Sequence, residues 1–166
     1  MEGRNKTYVC FDAEDAPMYE LMQTWDENDN FDFNFYDACD LDESCPEDEE
    51  EMRRIISKKM VDAKVLVVLI GENTKYLYKY IKYEIELAVD ADLPIIAVNL
   101  NGKKEIDKER CPLSIDEALS LHIPFGEKEL RLALEKWPSY HEAYSEKGDN
   151  KNYTLKDLDE LNELVD

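Results

Sequence analysis

From residue 7 to residue 137 the chain alternates between short apolar runs and longer stretches in which apolar residues recur every three or four positions. "TYVCF" (7–11) reads as a short strand. "DAPMYELMQTWDEN" (15–28) has a helical period, with Asp15 placed as an N-cap and Pro17 in the first turn. "FDFNFYD" (31–37) sets Phe31, Phe33 and Phe35 on one face, as in a half-covered edge strand. Pro46 is expected to open a helix through "EEEMRRIISKKMVDA", apolar at Met52, Ile55, Ile56, Met60 and Val61. "KVLVVLIG" (64–71) is apolar throughout, which suits a central parallel strand covered on both faces. A helix over "YKYIKYEIELA" (78–88) follows, introduced by "GENT", where Asn73 or Thr74 is positioned to cap it. "LPIIAVNLNG" (93–102) is a further buried strand, "SLHIPF" (120–125) a fifth, and "EKELRLALEKW" (127–137) a helix.

Strands alternating with helices predict an α/β fold: a three-layer sandwich with a five-stranded parallel sheet. The domain is expected over residues 1–137, with 138–166 as a C-terminal extension. In that extension "TLKDLDELNELVD" (154–166) is amphipathic, with Thr154 as N-cap and Leu155, Leu158, Leu161, Leu164 and Val165 on one side. It is expected to dock on the domain or on another chain. A ligand site in such a fold lies at the carboxyl ends of the strands, beside the topological switch point. The loops there are "FDAED", "YDACD", "GENT" and "NLNG". Their convergence follows from the architecture and by itself says nothing about function.

Charge narrows the choice of partners. The net charge of −20 argues against nucleic acid and anionic membranes, either of which needs a basic face. It also disfavours long-range attraction of a phosphate-bearing substrate, so local donors and a few Lys or Arg would have to outweigh the global field. "DACDLDESCPEDEEE" (37–51) is acidic without a single base and reads as a solvated loop running into the first turn of a helix. The polar start "MEGRNK" carries no leader-like apolar stretch, and no run approaches a membrane span, so a cytoplasmic location is expected. Cys10, Cys39, Cys45 and Cys111 show no metal-binding spacing and are expected to be reduced. With His122 and His141 the only histidines, a zinc site or a histidine triad has little material.

Nucleotide chemistry of the common kinds is also missing its parts. GxGxxG and GxxxxGK[ST] are both absent from a chain with only five glycines. A phosphoacceptor receiver domain would want acids after the first strand, which Asp12, Glu14 and Asp15 supply. It would also want an aspartate at the end of the third, where Ile70, Gly71 and Glu72 stand instead.

One residue breaks the pattern of the 78–88 helix. At 3.6 residues per turn Leu77, Ile81, Glu84, Ala88 and Ala91 share the stripe that should be buried, while Lys79, Lys82, Glu86 and Asp90 face water. Glu86 is then an ordinary surface charge with Lys82 as its partner. Glu84 has two readings. In one the helix rotates slightly and the carboxylate reaches solvent or bonds Tyr80. In the other it borders a cleft beside the third strand, where it could hold ribose hydroxyls and stabilise an oxocarbenium-like centre as a glycosidic bond breaks.

"FDFNFYDACD", "KVLVVLIGENT" and "YIKYEIELAVDADLPIIAVNL", in this order, resemble the TIR-like family that includes the Thoeris-type bacterial antiphage TIR proteins. The resemblance covers about residues 6–100, with "TYVCFDAEDAPMYELMQTW" similar to the family's first strand and helix. Its most specific element is "YIKYEI", similar to an aromatic-x-x-x-Glu-Ile segment, on which Glu84 falls at the catalytic glutamate of NAD-cleaving TIR domains. The resemblance implies a flavodoxin-like fold that cleaves the nicotinamide–ribose bond of NAD⁺, taken as substrate with no further cofactor and no metal. It further implies a signalling nucleotide that activates a separate effector protein during phage infection, and activity that depends on self-association. Phe11, Asp12, Asp37, Gly71, Asn73 and Tyr80 match positions around that site. Tyr80 stands where the family often has tryptophan. Because some TIR-like domains are adaptors, two functions stay open: an NAD⁺ glycohydrolase or cyclase that needs Glu84, and a non-catalytic interaction module. An open cleft at Glu84 favours the first, and burial among polar neighbours the second.

Overall fold

The computed structural model describes residues 5–27, 33–36, 48–76 and 80–159. Its strands are β1 (Asn5–Cys10), β2 (Phe33–Tyr36), β3 (Ala63–Ile70), β4 (Ile95–Asn99), β5 (Ser120–Pro124) and β6 (Asn152–Thr154). Between them run α1 (Ala16–Glu27), α2 (Glu49–Met60), α3 (Tyr80–Asp90), the short α4 (Leu113–Asp116) and α5 (Glu127–Glu146). All strands are parallel, in the order β2-β1-β3-β4-β5-β6. The first five follow the flavodoxin-like order 2-1-3-4-5, which puts the switch point between β1 and β3.

The apolar run of β3 explains the layers. Alternate residues point to opposite faces, so Val65, Val67 and Leu69 join one core, and Leu66, Val68 and Ile70 the other. The first core is closed by Tyr19 and Met22 of α1 and by Leu130, Ala133, Leu134 and Trp137 of α5. The second is closed by Met52, Ile56 and Met60 of α2 and by Ile81, Ile85 and Ala88 of α3. Each helix thereby buries one stripe and the sheet is covered twice.

Several expected boundaries move. α2 begins after Asp48, whose side chain accepts the Glu50 N–H at 3.2 Å, rather than at Pro46, which lies outside the described residues. α1 is preceded by a 3₁₀ turn, Ala13–Asp15, at whose start Asp12 Oδ1 accepts the Glu14 N–H at 3.0 Å. α5 does not stop at Trp137 but continues through Pro138 to Glu146. Proline removes one helix hydrogen bond, and burial of Trp137 and His141 on either side holds the helix through that loss.

The stretch after α5 adds β6, a sixth parallel strand beyond the five expected, paired with β5 from Ser120↔Asn152 to His122↔Thr154. Thr154 and Asp157 then cap one another. Asp157 Oδ2 accepts the Thr154 N–H at 2.8 Å, and Thr154 Oγ1 accepts the Asp157 N–H at 3.4 Å. The helical turn over 155–159 carries Leu158 into the α5-side core, so this part of the amphipathic segment docks on its own domain. Among the described residues no helix is long and apolar enough to cross a membrane.

Candidate functional site

α3 carries the stripe as its spacing predicts at Ile81, Glu84 and Ala88, all at most 2% exposed. Ala91 falls beyond the helix, in an exposed turn, and Leu77 lies outside the described residues. Lys82 and Asp90 face solvent and Glu86 is half-buried. Glu84 is only 2% exposed, which excludes the reading in which it reaches water at the stripe's edge. It lies beside Cys10, the last residue of β1, close enough to interact with the thiol. Burial pushes the Cys10 thiol far up, and the neighbouring Glu84 charge and hydrogen bond add to it. The thiol is therefore neutral and a donor. Since Cys10 pairs in register with Val68 of β3, the Glu84 carboxylate sits at the carboxyl edge of the β1/β3 switch point.

The loop after β1 brings acids to the same edge. Asp12 is 8% exposed and engaged with the Glu14 backbone, and the Asn73 side-chain amide donates to the Glu14 carboxylate. Phe11 turns into the α5-side core, stacked on Tyr19 with ring centroids 4.6 Å apart. The loop after β3 is held down by Thr74, whose hydroxyl accepts the Gly71 N–H at 2.9 Å and donates to the Leu69 carbonyl at 3.1 Å. Thr74 thus folds the loop onto its own strand instead of capping α3. Gly71 is where the two loops meet: a Cβ there would lie 2.3 Å from Asp15 Oδ2. Asp15 is pushed up to about 6, first by burial, then by Asp12 and Glu14, with Arg110 working against them.

The loop between β4 and α4 completes the rim; its opening "NLNG" was expected at this edge, and its continuation to Arg110 was not. Asn99, 1% exposed at the end of β4, donates to the carbonyls of Lys103 and Glu105 at 3.0 and 2.8 Å. Asp107, 3% exposed, takes the Asn101 amide at 2.8 Å and the N–H groups of Glu109 and Arg110 at 3.1 and 3.2 Å. Burial alone would raise Asp107, but these donors together hold it below its ordinary value. So anchored, Arg110 crosses to Glu72, just after β3, with an N–O separation of 3.7 Å. Beyond "NLNG" the loop has neither an apolar run nor a periodicity, so the sequence does not say which strand it leans over.

Of the residues expected at the site, Glu84, Asp12, Gly71 and Asn73 converge on this edge, whereas Phe11 packs beneath it. Asp37 lies outside the described residues, and of Tyr80 only the backbone, the first residue of α3, is described. Among the described residues no group of three or more His, Cys, Asp or Glu is arranged to hold a metal ion. The edge offers a buried carboxylate, a shell of acids and one guanidinium. It suits a ligand with both a cationic and an anionic part better than a simple anion.

Similar solved structures include a 3-dehydroquinate dehydratase-like protein from Bifidobacterium longum, at 16% identity and a TM-score of 0.41, covering 81% of this chain and 96% of that one. A conserved protein from Enterococcus faecalis V583 aligns at 15% identity and a TM-score of 0.44, covering 93% of this chain and 94% of that one. Likenesses this distant carry no functional argument. Among curated proteins none matches the sequence. The family described as "Thoeris protein ThsB, TIR-like domain" matches residues 8–105, more than half of the chain and including the loops after β1 and β3. The chain therefore belongs to the TIR-like domain family of the Thoeris protein ThsB, a family of TIR-like signalling in antiphage defence.

Proposed function

We propose that the chain is an NAD⁺-cleaving enzyme that makes a signalling nucleotide for the other components of its defence system, with Glu84 as its catalytic carboxylate. The observation that carries this reading is the placement of Glu84 against Cys10 at the β1/β3 switch point, where a fold of this order binds its ligand. In the reaction the bond between ribose C1′ and the nicotinamide nitrogen breaks, and its electron pair leaves with the ring as neutral nicotinamide. The sugar develops positive charge, which the Glu84 carboxylate stabilises in a low-dielectric setting. Water adds to C1′ and releases a proton, giving ADP-ribose; in a cyclase a nitrogen of the adenine takes the place of water.

At 2% exposure the carboxylate is covered, so turnover requires this edge to open. The conformation described is then the resting one, and self-association or an infection-derived trigger opens it. The same burial favours a second reading, a non-catalytic interaction module in which Glu84 and Cys10 are a structural pair.

NAD⁺ loss and product mass, measured with lysate of phage-infected cells as activator, separate the two. Under the enzyme reading Glu84→Gln loses turnover by at least about a hundredfold, as removal of one preorganised electrostatic group does. Its stability stays within about 1–2 kcal/mol of wild type. Glu86→Gln, on another side of the helix, keeps its activity. Unfolding of Glu84→Gln, or equal turnover by both proteins, rules out the catalytic assignment.

A further inference from the structure

We infer that Arg110 binds the diphosphate of the nucleotide substrate, an inference that rests on the NAD⁺-cleaving reading of this edge. A chain of net charge −20 repels a diphosphate at long range, so the ligand must meet its countercharge within the site. Among the described residues of the carboxyl-edge loops the cations are Lys75, Lys103, Lys104, Lys108 and Arg110. The four lysines are exposed, and only Arg110 is half-buried, its side chain 30% exposed. Its backbone is fastened by Asp107, which accepts the Arg110 N–H at 3.2 Å and whose own carbonyl accepts the Cys111 N–H at 2.9 Å. The fork of N–H donors is thereby held over the β3 loop at little further entropic cost.

Its ion-pair partner is a weak competitor, although Asp15 also lies within electrostatic reach of the guanidinium. Glu72 is 79% exposed and 3.7 Å away, a separation and exposure at which an ion pair is easily exchanged. A diphosphate offers the guanidinium two oxygens in bidentate geometry and a larger charge. The acids nearby then set direction instead of blocking entry. Asp12 and Glu14 repel the diphosphate but attract the cationic nicotinamide ring, so the ligand lies with its ring toward the β1 loop and its diphosphate toward the β4–α4 loop. Arg110 lies beyond residues 8–105, and so outside the part of the chain that the family match covers.

Calorimetric titration with ADP-ribose and with adenosine, on wild type, Arg110→Ala, Arg110→Lys and Glu72→Gln, tests the assignment. Arg110→Ala is expected to weaken ADP-ribose binding by about 10- to 100-fold, the range for a lost charge-assisted contact, and to leave adenosine binding unchanged. Arg110→Lys restores part of the loss. Glu72→Gln tightens ADP-ribose binding by a few-fold, because it removes the competitor while leaving Arg110 in place; this variant decides the matter if Arg110→Ala does not fold. Equal ADP-ribose affinity in wild type and Arg110→Ala, no tightening in Glu72→Gln, or no binding of ADP-ribose by wild type overturns the inference. Arg110-dependent ADP-ribose binding without NAD⁺ turnover under any activator overturns the enzyme reading alone. Glu84-dependent turnover with Arg110-independent binding overturns this inference alone.

Discussion

Gly71 and Asp15 approach each other closely where two rim loops meet, and this yields a prediction without reference to any ligand. Because a Cβ at Gly71 would sit 2.3 Å from Asp15 Oδ2, Gly71→Ala must displace that carboxylate or strain the loop. Overpacking of this kind costs about 1–3 kcal/mol. A double-mutant cycle by chemical denaturation should find most of that cost gone in an Asp15→Ala background; a cost that persists there would place the clash elsewhere. Asp15 also titrates usefully. Its folded-state value of about 6 lies above the 3.8 of an ordinary aspartate, so the folded state holds the proton more readily than the unfolded chain. The charged form therefore weakens the fold, increasingly as pH rises from about 4 to about 6, and fully above that. Asp15→Asn should raise Tm at pH 7 and leave it nearly unchanged at pH 4, which thermal melts at the two values would check. The sequence shows Asp15 only beside its chain neighbours, where it resembles a helix cap. Its contact with Gly71, far along the chain, exists because β1 and β3 pair in register. Glu84 was legible in part for the opposite reason: helical periodicity is local, so its place on the inner stripe could be read, while its burial and the Cys10 beside it could not.

Elements divide along similar lines. β3 and β4 are apolar runs covered on both faces, and such strands announce themselves. β6 has only three half-buried residues, Asn152–Thr154, without a run or an alternation, and it forms because Asn152 satisfies groups at the far edge of the sheet. Its Nδ2 donates to the Ala118 carbonyl at 2.9 Å and the Ser120 hydroxyl at 3.0 Å, and that hydroxyl lies 3.0 Å from His122 Nε2. Similarly, α5 overrides a proline stop signal because residues beyond it are anchored, Tyr144 stacking on Tyr153 of β6 with centroids 4.8 Å apart. The docked edge buries His122 completely, which holds it at about 4 against an ordinary 6.5. The unfolded chain thus takes the proton first. Stability from this group is fully present above about 6.5 and is lost as pH falls toward about 4, on the order of 3 kcal/mol in all. An NMR titration of the His122 ring should show no protonation until near pH 4 in wild type. Asn152→Ala, by loosening β6, should move that titration upward toward 6.5. A ring that titrates near 6.5 in the intact chain would mean that β6 does not seal this edge.

At the scale of the whole molecule, forty acidic residues face twenty basic ones. Surface ion pairs such as Arg53–Glu49 and Arg54–Glu51 use up cations locally without cancelling the total. The remaining like charges repel, and compaction brings them closer than they are in the unfolded chain. Salt shortens the reach of that repulsion, from about 30 Å at 0.01 M to about 3 Å at 1 M. Raising NaCl from about 0.02 to about 0.5 M should therefore raise Tm by several degrees, where a fold held by surface ion pairs would lose stability. Potassium chloride at the same ionic strength should do the same, since screening does not distinguish the cations. The nucleotide should respond differently. Screening reduces both the global repulsion of ADP-ribose and its attraction to Arg110, so affinity should change little with salt in wild type. In Arg110→Ala only the repulsive part remains, and affinity should rise as salt is added. A Tm that falls with salt would mean that local pairs outweigh the net charge. An ADP-ribose affinity that falls with salt equally in both proteins would remove Arg110 from the balance.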